Sequence, residues 1–246
     1  MKLTKKKLLV ISLAVCLLAI LSFSTLAWFS DADSVTNDFQ VGGGANQDPD
    51  EIFSLDVMEK VDVNGDGIYD LEHDMIVGKD KDPNYTDKFL YENIMPGDML
   101  YKSPSAQNTG ANDQYVRFKV TISNANEWVA IMQKYGMELH DLLYMADKTT
   151  KLTASPNWTF VPGDTTVVDN KITYVFYYNQ VLESNQSAIL FTYVNIPYQL
   201  TQHDMALFTD GQFQMVVTGE AIQVKNINAT NAKDAFAIVE STQAIA

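Results

Sequence analysis

The chain is expected to be all-β: a jelly-roll-like β-sandwich with one helical insertion, preceded by a leader that is cut away. Three observations predict this. Five segments rich in Val, Ile, Thr, Tyr and Phe recur along the chain, "SLDVMEKVDV", "QYVRFKVTIS", "KITYVFYYNQVL", "ILFTYVNIPYQL" and "FQMVVTGEAIQV". Each is bounded by Gly, Pro, Asn or Asp, which is how strands are punctuated. Two "PGD" turns, at Pro96 to Asp98 and Pro162 to Asp164, add further breaks, and no low-complexity linker divides the run. Many short strands with regular turn signals and a single helical stretch suit a two-layer sandwich.

The first element is the leader. Lys2, Lys5, Lys6 and Lys7 stand before an apolar run from Leu8 to Leu21, and Thr25 and Ala27 then supply small side chains at −3 and −1. Basic, apolar and small-residue regions in that order predict a secretory signal peptide over 1–27, cut between Ala27 and Trp28. Leu8 to Ala27 is also close to the ~20 residues of a spanning helix, but the small-residue exit, with no basic residue behind it, favours cleavage. The single cysteine, Cys16, lies in the leader, so the mature chain has no disulfide and must be stabilised by a core or by assembly.

Cleavage removes four of 17 basic residues and none of 31 acidic ones, so net charge falls from −14 to −18. Such a surface repels nucleic acid and anionic lipid and attracts cations. No apolar run after Ala27 is long enough to span a bilayer. The product is expected to be released from the cell or held there only through protein partners.

Residues 28–44 form the second element. Trp28 to Val41 reads as an extended arm whose Phe29, Val35, Phe39 and Val41 can face a groove, and Gly42 to Gly44 supply a hinge. The remainder, 45–246, reads as the sandwich domain. Within it, "NEWVAIMQKYGMELHDLLYMAD" places Trp128, Ile131, Met132, Tyr135, Leu139, Leu142 and Leu143 near helical spacing. That predicts a helical insertion at about 126–147, kinked or divided at Gly136 and lying on the sandwich. In the strands "YVFYY" and "LFTYV", alternation sends one face into the core and leaves tyrosines on the other.

The sharpest local motif is "DVNGDGIYDLEHD". Set on a calcium loop, Asp62, Asn64 and Asp66 take positions 1, 3 and 5, Gly67 the turn at 6, the Ile68 carbonyl 7 and Asp70 9. Position 12 holds His73 rather than the bidentate acid, with Glu72 and Asp74 beside it. The same residues also read as a hairpin turn, because "NGDG" between β-type residues is a strong turn signal. Calcium is the cofactor this spacing allows, and no other cofactor is expected.

Enzyme signatures are missing, so no catalytic residue is assigned. His73, His140 and His203 lie far apart and form no H-E-x-x-H, the spacing that sets two imidazoles on one helical face. There is no G-x-S-x-G elbow and no phosphate-binding glycine loop.

Four stretches resemble the TasA/camelysin family of exported biofilm-matrix fibre proteins, especially its clostridial-type branch. They are "TLAWFSDADSVTNDFQVGG", "NIMPGDMLYKSPSAQNTGANDQYVRFKVTI", "YYNQVLESNQSAILFTYVNIP" and "MVVTGEAIQVKNI". The ordered set spans nearly the whole mature chain, with Ser103 departing where the family pattern often has an acid. The resemblance implies cleavage by a signal peptidase of the SipW type and copies of the chain itself as the main partners, with other matrix proteins as further candidates. It also implies donor-strand assembly, in which the arm led by Trp28 and Phe29 completes the sheet of the next subunit. Camelysin relatives have carried a metallopeptidase label, and this sequence offers no zinc constellation to match it. Two other functions compete with the fibre subunit. One is a monomeric calcium-dependent module that binds cell-wall or matrix glycans; the weaker one is a secreted metallopeptidase.

Overall fold

Two open sheets packed face to face form the fold. A computed structural model describes residues 30–34, 37–38, 53–64, 69–70, 72–77, 85–86, 89–208 and 213–243. The first sheet runs β10 (Thr166–Val168), β11 (Lys171–Tyr178), β7 (Gln114–Ser123), β14 (Met215–Gln223), β1 (Ser30–Ser34), β2 (Asn37–Asp38), with β9 (Trp158–Phe160) beside β11. The second runs β5 (Tyr85–Thr86), β4 (Met75–Val77), β3 (Leu55–Val61), β6 (Met99–Asn108), β13 (Tyr193–Asn195), β8 (Leu143–Tyr144), with β12 (Ser187–Ile189) beside β6. Among the described residues every pairing is antiparallel except that of β4 with β5. A mostly-β chain of two stacked sheets is what the residue pattern predicts.

Alternation sets the core. On β7, Val116, Phe118, Val120 and Ile122 point inward, and from β3 and β6 Leu55, Val57 and Ala106 meet them. Strand β14 contributes Val217 and Ala221 to the same layer. Between them stands Gly219, where a Cβ would lie 2.5 Å from Val57 Cγ2 and 3.2 Å from Phe118 Cε1. The sheets meet there too closely for any side chain. Pro104 fits inside β6 because β12 pairs with residues 105–107 and β13 with 99–101. Its missing N–H falls in the gap between them, and its carbonyl accepts the Leu190 N–H at 2.9 Å.

The outer face of the first sheet is also covered. A C-terminal helix, α2 (Ala232–Gln243), sets Ala232, Ala235, Phe236 and Val239 on Tyr115, Val175, Tyr177 and Ile222. The i, i+3, i+4, i+7 spacing of those four residues puts them on one helical stripe. Asn231 starts the helix, its Oδ1 accepting the Asp234 N–H at 2.9 Å. The expectation that tyrosines of "YVFYY" would cover this face holds for Tyr177, while Tyr174 enters the core, and Tyr177 lies under a helix that the sequence reading did not assign.

The helical insertion is shorter than expected. α1 spans Ala125–Lys134 and buries Ala125, Trp128 and Met132. Gly136 takes φ +67, a left-handed conformation that ends the helix. A 3₁₀ turn over Leu139–Leu142 follows, and Leu143 already belongs to β8. Leu139, Leu142 and Leu143 are buried as expected, through a turn and a strand instead of a continuing helix. Both "PGD" segments are turns: Gly97 has φ +95, and Pro162–Asp164 is a 3₁₀ turn. The "ILFTYVNIPYQL" stretch is broken between β12 and β13, with Leu190 and Phe191 buried between them.

Candidate functional site

The arm contributes the edge of the first sheet. β1 pairs antiparallel with β14, Ser30 opposite Ile222, Asp31 opposite Ala221, Ala32 opposite Glu220, Asp33 opposite Gly219 and Ser34 opposite Thr218. The arm then folds back, with Ser34 paired to Asn37 and Asp33 to Asp38. An extended arm over Trp28 to Val41 was expected; its described residues, Ser30–Ser34 and Asn37–Asp38, form a short hairpin paired to β14. Folding back gives β1 a hydrogen-bonding neighbour where its outer groups would otherwise form an open edge. The sequence reading sets Phe29, Val35, Phe39 and Val41 on the groove-facing side of the arm. Those four residues, together with Ala27, Trp28 and Gly42 to Gly44, lie outside the described residues.

The strand that receives the arm is held from three directions. On its other side it pairs with β7 along its whole length, from Met215 opposite Ile122 to Gln223 opposite Gln114. On its outer face Glu220 accepts from Arg117 Nε at 2.5 Å and from Lys119 Nζ at 2.6 Å. Arg117 is buried and also reaches Glu240 of α2 at 2.7 Å, while its guanidinium lies 4.0 Å over the Phe236 ring. Burial opposes the charge on Arg117, but Glu220 and then Glu240 outweigh it and hold the guanidinium pKa above its ordinary value. Close by, Tyr177 packs 6.2 Å from Phe236 and donates to Asp164 Oδ2 at 2.9 Å. Burial, and then Asp164, push the Tyr177 phenol up to about 12. β14 is thus a fixed rail: sheet on one side, core beneath, and a charge-clamped helix above.

The Asp62 loop follows β3. Asp62 is buried at its start and Asn64 is exposed. Asp66 and Ile68 lie outside the described residues. Asp70 turns its carboxylate to its own neighbours, accepting the Glu72 and His73 N–H groups at 3.0 and 2.9 Å and meeting His73 Nδ1 at 3.0 Å. Those bonds, the His73 N–H first among lowering causes, bring the Asp70 pKa below its usual value. Glu72 is exposed. Asp74, 3 % exposed, braces the loop by accepting the Val63 N–H at 2.8 Å and the Asp70 N–H at 2.7 Å. Among the described residues no group of three or more His, Cys, Asp or Glu side chains is arranged to hold a metal. Next to the loop, Lys102 Nζ donates to buried Glu59, and Tyr91 donates to the Tyr101 carbonyl at 2.7 Å.

The three histidines stay apart in their local surroundings. His73 serves the Asp70 turn, and His140 lies against Phe160 and Tyr174 at 4.7 and 5.3 Å. His203 precedes the 3₁₀ turn Asp204–Phe208. Sequence reasoning missed Gly219, Arg117, Glu220 and Phe236. A signal existed for two of them: an isolated glycine inside a strand pattern marks close backbone approach, and Phe236 sits on a helical stripe after an Asn cap. Among the described residues no helix is long and apolar enough to cross a membrane. Neither a family model, a curated protein nor a solved structure matches the chain.

Proposed function

We propose that this chain is a secreted structural subunit that polymerises into extracellular biofilm-matrix fibres, the N-terminal arm of one copy completing the sheet of the next. The observation that carries this reading is the five-residue antiparallel pairing of β1 with β14. The arm is competent as an edge strand, and its partner strand is a rigid template. Strand addition supplies main-chain hydrogen bonds, and alternate side chains supply specificity. A head-to-tail contact of this kind does not close, so it propagates as a filament. The resemblance of the leader junction and the three later blocks to the TasA/camelysin family supports the same reading, and in it the sandwich is wound as a jelly roll. Export, removal of residues 1–27 by a signal peptidase of the SipW type, and self-association follow in that order. In this reading the chain performs no catalysis.

Electron microscopy of the chain beginning at Trp28 tests the proposal. Fibres are expected, and deletion of Trp28 to Val41 should abolish them while leaving a folded domain. A peptide of Trp28 to Val41 should bind the truncated domain and block elongation of the intact chain. Binding should depend on Phe29 and Phe39, since burying each contributes about 1.5–3 kcal/mol. Persistent monomers with affinity for wall glycans would instead establish the binding-module function.

A further inference from the structure

We infer that the end of the sandwich beside Asn108 is a binding site for one internal water molecule, held by the side-chain oxygens of Gln114 and Gln223. The site is separate from the arm and from the Asp62 loop, and it does not depend on assembly. Gln114 opens β7 and Gln223 closes β14, and the two stand directly opposite each other in the register. By alternation Gln114 continues the inward set of Val116, Phe118, Val120 and Ile122, and Gln223 continues that of Val217, Gly219 and Ala221. Both carboxamides therefore enter the space between the sheets, Gln114 being 0 % and Gln223 2 % exposed. Apolar side chains ordinarily fill such positions.

The second sheet supplies the frame. Asn108, the last residue of β6, is also fully buried. Its Nδ2 donates to the Asn112 and Leu182 carbonyls at 2.8 and 2.9 Å, and its Oδ1 accepts the Gly110 N–H at 3.0 Å. With its nitrogen between two carbonyls, the Asn108 amide has one orientation, and Oδ1 is the atom that meets Gln114 Nε2 at 2.9 Å. Gln114 Nε2 gives its other hydrogen to the Ser54 carbonyl at 2.9 Å. Both hydrogens go to acceptors, so the Gln114 amide is fixed as well, its oxygen turned away from Asn108 and Ser54. Its main chain is equally constrained, because Gln114 and Leu182 exchange both N–H···O bonds, at 3.0 and 2.8 Å.

Among the described residues no group donates to Gln114 Oε1 or to Gln223 Oε1, and both atoms are buried. Acceptors left so are costly. Directly opposed residues of an antiparallel pair have Cβ atoms about 4.5–5.5 Å apart, so one small molecule reaches both side chains. Water matches the need: it carries two O–H donors, and buried waters take polar partners in that number. A metal ion fits worse. The two oxygens are uncharged, so neither offsets the cost of stripping an ion of its hydration, and calcium takes about 6–8 oxygen ligands. Bound here, the water joins the end of β14 through Gln114 and Asn108 to β6, and to Ser54, where the chain enters β3.

High-resolution diffraction from crystals of the protein tests the site directly. One density peak is expected at hydrogen-bonding distance from both Gln114 Oε1 and Gln223 Oε1. It should show no anomalous signal when thallium replaces potassium, and should be unchanged by added calcium. In solution, oxygen-17 relaxation dispersion of the solvent counts long-lived internal waters. Gln223→Met keeps the length of the side chain and removes one of the two acceptors, so the variant should hold one such water fewer than the wild type. Its melting temperature should fall by about 2–6 °C, because Gln114 Oε1 is left without a donor. Three results would overturn the site: an anomalous peak between the two oxygens, the Gln223 amide donating directly to Gln114 Oε1 with no density between them, or equal water counts in the two proteins. If Gln223→Met does not fold, diffraction from the wild-type protein decides by itself.

Discussion

Gly219→Ala isolates the closest contact between the sheets. The added methyl would sit 2.5 Å from Val57 Cγ2, 3.2 Å from Phe118 Cε1 and 3.4 Å from Leu55 Cδ2. Those residues are 1, 0 and 2 % exposed, so none has a free end to swing aside. Overpacking of this kind costs about 1–3 kcal/mol. Loss of unfolded-chain freedom on replacing glycine returns about 0.4–1 kcal/mol, leaving a net destabilisation of about 1–2 kcal/mol. Val57→Ala removes two buried methyl groups at about 0.8 kcal/mol each, plus a cavity contribution, or about 2 kcal/mol in all. If the two changes were independent, the double variant would lose about 3–4 kcal/mol. Because Val57→Ala vacates the space the new methyl enters, the double variant should lose about 2 kcal/mol, a coupling above 1 kcal/mol. Urea unfolding followed by the fluorescence of buried Trp128 and Trp158 measures all four proteins, with equal slopes required for the comparison. A Gly219→Ala chain as stable as the wild type, or strict additivity in the cycle, would refute the close-approach argument.

Arg117→Met should cost about 3 kcal/mol in a urea titration, because it strands a partly buried carboxylate, whereas Glu240→Gln, at a side chain 57 % exposed, should cost under about 1 kcal/mol. The reverse order would mean that α2 is not held through Arg117. His140 carries a buried Nδ1 without a hydrogen-bond partner, and its pKa is lowered, by burial first, against the raising pull of Asp141 and Glu138, with Lys151 lowering it further. The unfolded chain then takes up the proton first. Stability present above about pH 6.5 is therefore lost as pH falls through that value towards the folded pKa; His140→Phe should flatten that part of a thermal unfolding profile, and an unchanged slope would assign it to other groups. Millimolar calcium should raise the melting temperature if Asp62, Asn64, Asp66, the Ile68 carbonyl and Asp70 form a loop site. An Asp62→Ala, Asp66→Ala variant should lose the increment, and an equal response would point to general screening of the acidic surface. N-terminal sequencing of secreted protein should read Trp28 first, and a bulky residue at Ala27 should leave precursor in the membrane fraction.

Periodicity in the residue order located the core strands: "QYVRFKVTIS" is β7 residue for residue, and β3, β11 and β14 fall inside the stretches read as strands. Turn chemistry was equally local, as at Gly97 and Pro162. The Asp62 loop was legible as a carboxylate-rich link between strands, though the brace by Asp74 across 11 residues was not. Where a helix stops is less local. Leu139, Leu142 and Leu143 continue the helical spacing, yet the left-handed Gly136 ends α1 and a strand partner claims Leu143. The second helix escaped notice because its polar face and the loop before it resemble a tail. Its stripe acquires meaning only against Tyr115, Val175 and Tyr177.

The sequence by itself determined which side of each core strand is apolar and predicted an arm ahead of the sandwich. Only the tertiary structure decided which edge that arm meets. Strands with the same two-residue period are interchangeable by pattern, and local residue preference says little about partners 100 residues away. Arg117 and Glu220 are 103 residues apart, and Ala32 and Glu220 are farther apart still. The choice comes from packing at long range. Gly219 lets the two sheets close, Glu220 finds two cations, α2 covers one face, and the remaining edge of β14 is left for β1.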